Sequence, residues 1–369
     1  MTSTARPQVK FQSGGEFWQE MRRRVQEYVD QPHCANPHCN KSIKDVAYTI
    51  IHRKAIKIVA WWAVSYAALL LFAHNWWQVA LIGASLVLAC YAAATCIMHD
   101  GNHGAFSRSP RVNRLAGFTM EMLGGSSFVW RIKHNQLHHT GPNIDGWDDD
   151  ISNAPWVTLA PTQKHYAWTR YQHIYIWPLY GLMILRWQLW GDILTLKNSA
   201  LSTGYKLRPP SKFDWTELIV GKILCYTWIF GLPIALHWSW HGFAMVMVTY
   251  AALSFVFSFM LTLTFQLAHM GEGSEAVSFD DVGPDGKFKL SFVEHTLMTT
   301  ADFCPNNRAL TWMLGGLNFQ IEHHLFPKLP HVLYPDIARI VYATCVEYYG
   351  PGDEGSEDGV ELPPGVALA

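Results

Sequence analysis

The apolar positions of this chain fall into long blocks separated by mixed regions. The first block runs from Ile58 to Ala73 and the second from Trp76 to Met98, with only His74 and Asn75 between them. A second pair runs from Leu218 to Leu236 and from Phe243 to Leu267, joined by His237-Trp238-Ser239-Trp240-His241-Gly242. Each block is near the roughly 20 apolar residues that carry a helix across a bilayer. The pattern predicts an all-α integral membrane protein, multi-pass, with four transmembrane helices as two hairpins, over residues 57–74, 76–98, 218–237 and 243–268. Two weaker pieces accompany them. Leu115 to Trp130 contains Gly117, Gly124, Gly125 and Glu121, and is expected to be interfacial or re-entrant. Ile174 to Leu185 is interrupted by Pro178 and is short for a span.

Around these blocks the chain divides into a polar, basic segment over 1–45, a membrane domain over 46–345 and a tail over 346–369. The tail is rich in Gly, Pro, Asp and Glu and is expected to be disordered. No signal peptide is expected, because the start has no apolar core beside its charges. Neither hairpin turn contains Lys or Arg, and Lys222 lies just inside a span. The basic residues sit in the N-terminal segment, in 99–217 and in 268–345, so the positive-inside rule puts those regions and both termini on the cytoplasmic side.

Composition agrees with the blocks. Half the residues are hydrophobic and 15% are charged, against about 25% charged in soluble domains. The net charge of −1 offers no basic surface for nucleic acid. The seven cysteines show no disulfide framework, and a reducing, cytoplasm-facing protein is expected. His33-Cys34 and His38-Cys39 could hold zinc only with an unusual spacing and no second half, so no metal site is expected there.

Histidines change the picture most. His99 and His103 follow the second block at i, i+4 and would share one helix face. His134 and His138 repeat that spacing, and His139 points about 100° away on a helix, so the adjacent pair can reach two metal ions. Gln320, His323 and His324 give a third cluster. Seven histidines are too many donors for one ion and reasonable for two, and imidazole suits iron, zinc, copper and nickel. His269, ending the last block, adds an eighth, and His295 a ninth. Asp100, Asn102, Asp145, Asp148, Asp149, Asp150 and Glu322 are near enough in sequence to orient the rings, although Asp145 to Asp150 also reads as a solvated acidic loop. A lone histidine beside an apolar run is usually a hydrogen-bonded structural residue. That reading is given to His52, His74, His165, His173, His237, His241 and His331.

Over roughly residues 45–345 the chain resembles the integral-membrane fatty acid desaturases, with their related hydroxylases and acetylenases. The family pattern is H-x(3–4)-H, H-x(2–3)-H-H and H/Q-x-x-H-H, met here by His99…His103, His134…His138-His139 and Gln320…His323-His324. Gln320 in the first position of the last box resembles the front-end branch, which inserts a double bond between an existing one and the carboxyl end. The resemblance implies a four-helix membrane fold with a cytosolic, histidine-rich cap holding two iron ions. It implies removal of two hydrogens from neighbouring carbons of an acyl chain, using oxygen and two electrons. The implied iron ligands are His99, His103, His134, His138, His139, His269, His323 and His324. Gln320 is a candidate ligand or supporting residue, and His295 a candidate to replace it.

The substrate would be a fatty acyl chain on lipid, coenzyme A or acyl carrier protein, drawn from membrane lipids. The chain has no His-Pro-Gly-Gly haem signature, so a separate electron donor, a ferredoxin or a cytochrome, is expected. Arg131, Lys133 and Arg170 are candidates to meet a carrier phosphate, or serve only as positive-inside residues. Hydroxylation or acetylenation on the same scaffold is the alternative activity. A metal or ion transporter, the remaining class, needs ionisable residues within the spans, and the four blocks are nearly free of them.

Overall fold

The structure is a computed structural model and describes residues 9–34, 41–201, 203–271, 273–283 and 285–350. His38, Cys39 and the tail beyond Gly350 lie outside the described residues. The helices that carry the argument are α1 (Gly15–Asp30), α2 (Ile43–Phe72), α3 (Trp76–His103), α4 (Lys212–Leu236), α5 (Trp240–His269), α6 (Phe292–Thr299), α7 (Gln320–Leu325) and α8 (Tyr334–Tyr349). The chain forms two compact units, one of residues 1–51, 133–166 and 265–369, the other of 52–132 and 167–264.

Helices α2, α3, α4 and α5 are long and apolar enough to cross a membrane; α2 and α4 start well before the expected spans, α3 ends after its span, and α5 extends slightly at both ends. At 1.5 Å per residue, the 30 residues of α5 cover about 45 Å, more than the roughly 30 Å of a bilayer core. The extra turns are where the polar chemistry sits, since α3 ends at His103 and α5 at His269. Outward-facing Ile56, Val64 and Leu81 are each about two-thirds exposed, which is costly in water and ordinary against lipid. Trp76, Trp238 and Trp240 stand exposed at the helix ends, as aromatic residues do at bilayer interfaces.

In the second unit the weaker apolar pieces pack into the bundle. Tyr180 and Ile184 meet α5 through Ser258, whose Oγ donates to the Tyr180 carbonyl at 2.7 Å and accepts from the Ile184 N–H at 3.1 Å. Both pieces are broken helices, so several carbonyls lack helical partners and need side-chain donors. Trp228 Nε1 donates to the Met122 carbonyl at 2.8 Å, and Gln188 Nε2 to that of Leu123 at 3.1 Å. The Lys222 ammonium donates to the carbonyls of Gly124, Trp187 and Gln188 at 2.6, 2.5 and 2.8 Å. Lys222 is thus a structural cation that replaces missing helix hydrogen bonds.

The first unit has a conventional apolar core. Phe17, Met21, Val25 and Val29 recur every four residues and bury one face of α1. They join Ile337, Val341 and Cys345 of α8 and Phe319, Ile321 and Leu325 around α7. The N-terminal segment is therefore folded into the unit that holds most of the histidines. A two-residue parallel pairing, Ile144 with Val277 and Asp145 with Ser278, ties the loop after the second histidine cluster to the segment after α5. Cys34 is disulfide-bonded, against the expectation of free thiols, whereas Cys90, Cys96, Cys225, Cys304 and Cys345 are free.

Candidate metal centre

The second histidine cluster does not lie on an α-helix. Residues Arg131–Leu137 form a π-helix and His138–Thr140 a 3₁₀ turn. The wide π turn aligns residues five apart. His134 therefore meets His139, Nε2 to Nε2, at 3.2 Å, and His138 is turned elsewhere. Its Nε2 lies 3.2 Å from His269 Nε2, and His324 Nε2 lies 3.3 Å from that same atom. His138, His269 and His324 thus converge from three distant segments, and all are buried. His323 points to the other pair, its ring 4.5 Å from that of His139 and 6.0 Å from that of His134. The rings of the adjacent pairs His138-His139 and His323-His324 point apart, the first pair after a π turn and the second on the α-helix α7.

The donor set fits metal ions. Imidazole nitrogens about 2.1 Å from one ion stand roughly 3 Å apart when they are neighbours in its coordination sphere, close to the 3.2 and 3.3 Å observed. His138 Nδ1 faces Asp148 Oδ2 at 2.9 Å, and the carboxylate can only accept, so that nitrogen carries the proton and Nε2 presents its lone pair. Burial pushes the His138 pKa down, but the charge and hydrogen bond of Asp148, with the charge of Asp150, together outweigh it and the net shift is upward.

Several supporting residues are in the structure and were not legible in sequence. Asp148, not Asp145 or Asp149, holds His138. Asp145 accepts from Thr162 and Gln163, and Asp149 pairs with Lys133 at 2.8 Å. Lys133 therefore has an ionic partner of its own and is a poor candidate for a carrier phosphate. Tyr334 Oη lies 3.3 Å from His323 Nδ1. His295 Nε2 lies 2.9 Å from the Pro142 carbonyl, which can only accept, so that nitrogen is protonated and spent on the backbone, and only Nδ1 is left to present a lone pair. Burial lowers its pKa to about 4, leaving a neutral ring that fixes a loop. Gln320 is buried, and its Oε1 accepts no hydrogen bond among the described residues.

Asp302 Oδ1 accepts from the Ile321 N–H at 3.1 Å, at the start of α7. Its carboxyl lies beside that of Glu322, and burial raises it to about 6. Glu322 is raised well above the usual range by burial and then by the Asp302 charge. Both folded-state pKa values exceed the unfolded values of about 4. The pair's stabilisation is therefore complete below pH ~4, falls as pH rises through about 6, where Asp302 ionises, and goes on falling above it as Glu322 ionises. The melting temperature of the metal-free protein should fall across that range, and Asp302→Asn should flatten the fall. Equal slopes in both proteins would show that the pair does not titrate this way.

In the second unit, His99 and His103 are buried with ring centroids 4.6 Å apart, and both rings meet Trp130 edge-on. His99 Nδ1 lies 3.8 Å from Asp100. Asn102 donates to the carbonyls of Met98 and Gly117 and accepts from Arg131 at 3.0 Å, so Arg131 is engaged locally. Arg170 stacks on Tyr171. His52 and His237 face the backbone carbonyls of Phe106 and Leu70, the structural roles expected. A cavity of about 440 Å³ lies among the long helices, walled by Leu86, Val87, Leu123, Tyr250 and Leu253 and rimmed by His74, His237 and His241.

Residues 74–354 match the fatty acid desaturase family. This chain belongs to that family. The desaturase is 35% identical over 294 residues to the sn-1 linoleoyl-lipid 6-desaturase of Synechocystis sp., covering 79% of this chain and 80% of that protein. It is 31% identical to the enzyme of the same name from Arthrospira platensis, covering 94% of this chain and 90% of that protein. Its identity to the acyl-lipid (8-3)-desaturase of Physcomitrium patens is 34%, over 69% of this chain and 52% of that protein. The desaturase is an oxygen-dependent oxidoreductase acting on fatty acyl chains, and its buried histidine groups suit the iron on which the family depends.

Proposed function

We propose that this desaturase is a front-end acyl-lipid desaturase with two irons. The observation that carries the reading is the convergence of His138, His269 and His324 within 3.2 to 3.3 Å, beside a second group of His134, His139 and His323. His99 and His103 of the second unit are buried and are the remaining histidines of the family pattern. When bound, the irons supply the oxidant for an unactivated C–H bond. The balance is one O2, two electrons and two protons, with two hydrogens leaving the acyl chain and two waters formed.

The protein's own residues bind, orient and exclude water. The cavity between the long helices is apolar along its walls and suits the methyl end of an acyl chain. The two hairpins put the histidine-bearing helix ends and both termini on the cytoplasmic side, where a separate ferredoxin or cytochrome delivers electrons. The names of the Synechocystis and Arthrospira enzymes favour a lipid-linked substrate over a coenzyme A or carrier-protein ester.

Expression in a host of defined lipid composition tests this reading. New fatty acids with one added double bond near the carboxyl end are expected, and purified protein should carry about two irons per chain. Hydroxylated products, or a single zinc, would defeat it. Leu253→Trp fills the cavity and should lower the preference for long over short acyl chains by about 10-fold, read as the ratio of kcat/KM values. An unchanged ratio would place the chain elsewhere.

A further inference from the structure

We infer that Asn143 is the positioning residue that sets one of the two proposed iron sites, by holding His138 and His269 in register. The inference rests on the metal-centre reading above. Asn143 is completely buried, with a positive φ of 57°, a conformation that Asn tolerates better than most residues. Its side-chain amide nitrogen donates to three backbone carbonyls, those of His269 at 2.7 Å, Glu275 at 3.1 Å and Thr299 at 3.2 Å. Three acceptors around one atom fix the amide orientation, because the carbonyl end would meet only repulsion there.

The same residue acts on His138 through its backbone. The Asn143 N–H donates to Asp148 Oδ2 at 2.9 Å, and that oxygen is the one that meets His138 Nδ1 at 2.9 Å. The Thr299 carbonyl held by the Asn143 amide also faces His269 Nδ1, at 3.3 Å. One residue therefore restrains the far nitrogen of both imidazoles, one through a carboxylate and one through a carbonyl. His295 steadies the preceding residue at Pro142, and the Asn143 carbonyl accepts from Val277 at 3.0 Å, where the short strand pairing begins. None of these hydrogen bonds involves His134, His139 or His323, so the effect falls first on the group of His138, His269 and His324, although the His138 ring also stacks on that of His134 at 5.2 Å.

Ferrous iron titrated into metal-stripped full-length protein, against a chromophoric competitor, tests the assignment without reference to turnover. Wild type should show two binding steps. Asn143→Gly keeps the positive φ and removes the amide, and should weaken one step by about 10- to 100-fold and leave the other in place. Combined with His269→Ala, it should add little to the loss from His269→Ala alone. Asn143→Ser, with a single short donor, should fall between Gly and wild type. Equal weakening of both steps, unchanged affinity, or simple multiplication of the two losses would overturn the assignment. So would failure of both variants to fold in the cold, which would make Asn143 a folding residue. Absence of iron binding by wild type would instead defeat the metal-centre reading itself.

Discussion

His324→Ala should abolish desaturation and leave the protein in the membrane. The imidazole is fully enclosed, its Nε2 lies 3.3 Å from that of His269, and its ring stacks on His139 at 4.2 Å. Its loss removes a donor from one group and a packing surface from the other. Removal of a mere outer partner of a metal ligand costs about 10- to 100-fold, so loss of a donor should exceed ~100-fold. Iron content per chain and product formation are the measurements. Gln at this position keeps much of the volume and a polar tip. Similar losses in His324→Gln and His324→Ala would assign the effect to the imidazole, not to packing. Normal product formation by both would dismiss His324 as a ligand.

Lys222→Met should cost more stability than substitutions elsewhere in the bundle. The ammonium is buried within the second unit and serves three carbonyls at 2.5 to 2.8 Å. A buried acceptor left without a partner costs about 1–3 kcal/mol, and the Gly124 and Trp187 carbonyls lose their side-chain donor at once, whereas that of Gln188 still accepts from Tyr226 Oη at 2.6 Å. Met regains the desolvation penalty of the charge, which offsets part of the loss. Carbonyls in broken helices have no water to turn to inside a bilayer, so the orphaned acceptors should win. A net loss of about 3 kcal/mol corresponds to a fall of roughly 6–12 °C in melting temperature for a unit of this size. Thermal unfolding of the detergent-solubilised protein reads it directly. An unchanged melting temperature would mean that the broken segments find other donors.

The parts legible in sequence are those carried by local composition. Four apolar blocks name their helices because burial in lipid demands it of every residue, and adjacent histidines declare themselves without any fold. Boundaries were less legible. α2 begins well before the expected span and α3 ends well after its own, because a helix ends where capping and packing end it, not where hydropathy falls. The supporting residues depended on backbone paths that spacing does not encode. Asp145, Asp148 and Asp149 are equivalent as letters, and only the turn at Asn143 turns Asp148 to His138. Nothing in the neighbourhood of His295 reveals that its Nε2 meets the Pro142 carbonyl, 153 residues away in the chain. Lys222 looked like a charge near a span edge. Its role became visible only with the two broken segments that its ammonium joins.

The π-helix at Arg131–Leu137 gives the histidine motif a particular tolerance. A π turn holds one residue more than an α turn. Deleting one residue between His134 and His138 could be absorbed by tightening that turn, with His134 still opposite the second histidine of the pair. The variable gap in the H-x(2–3)-H-H pattern is then no looseness in the motif. It offers two windings of one backbone that present the same imidazoles, and the helix type is the spacer.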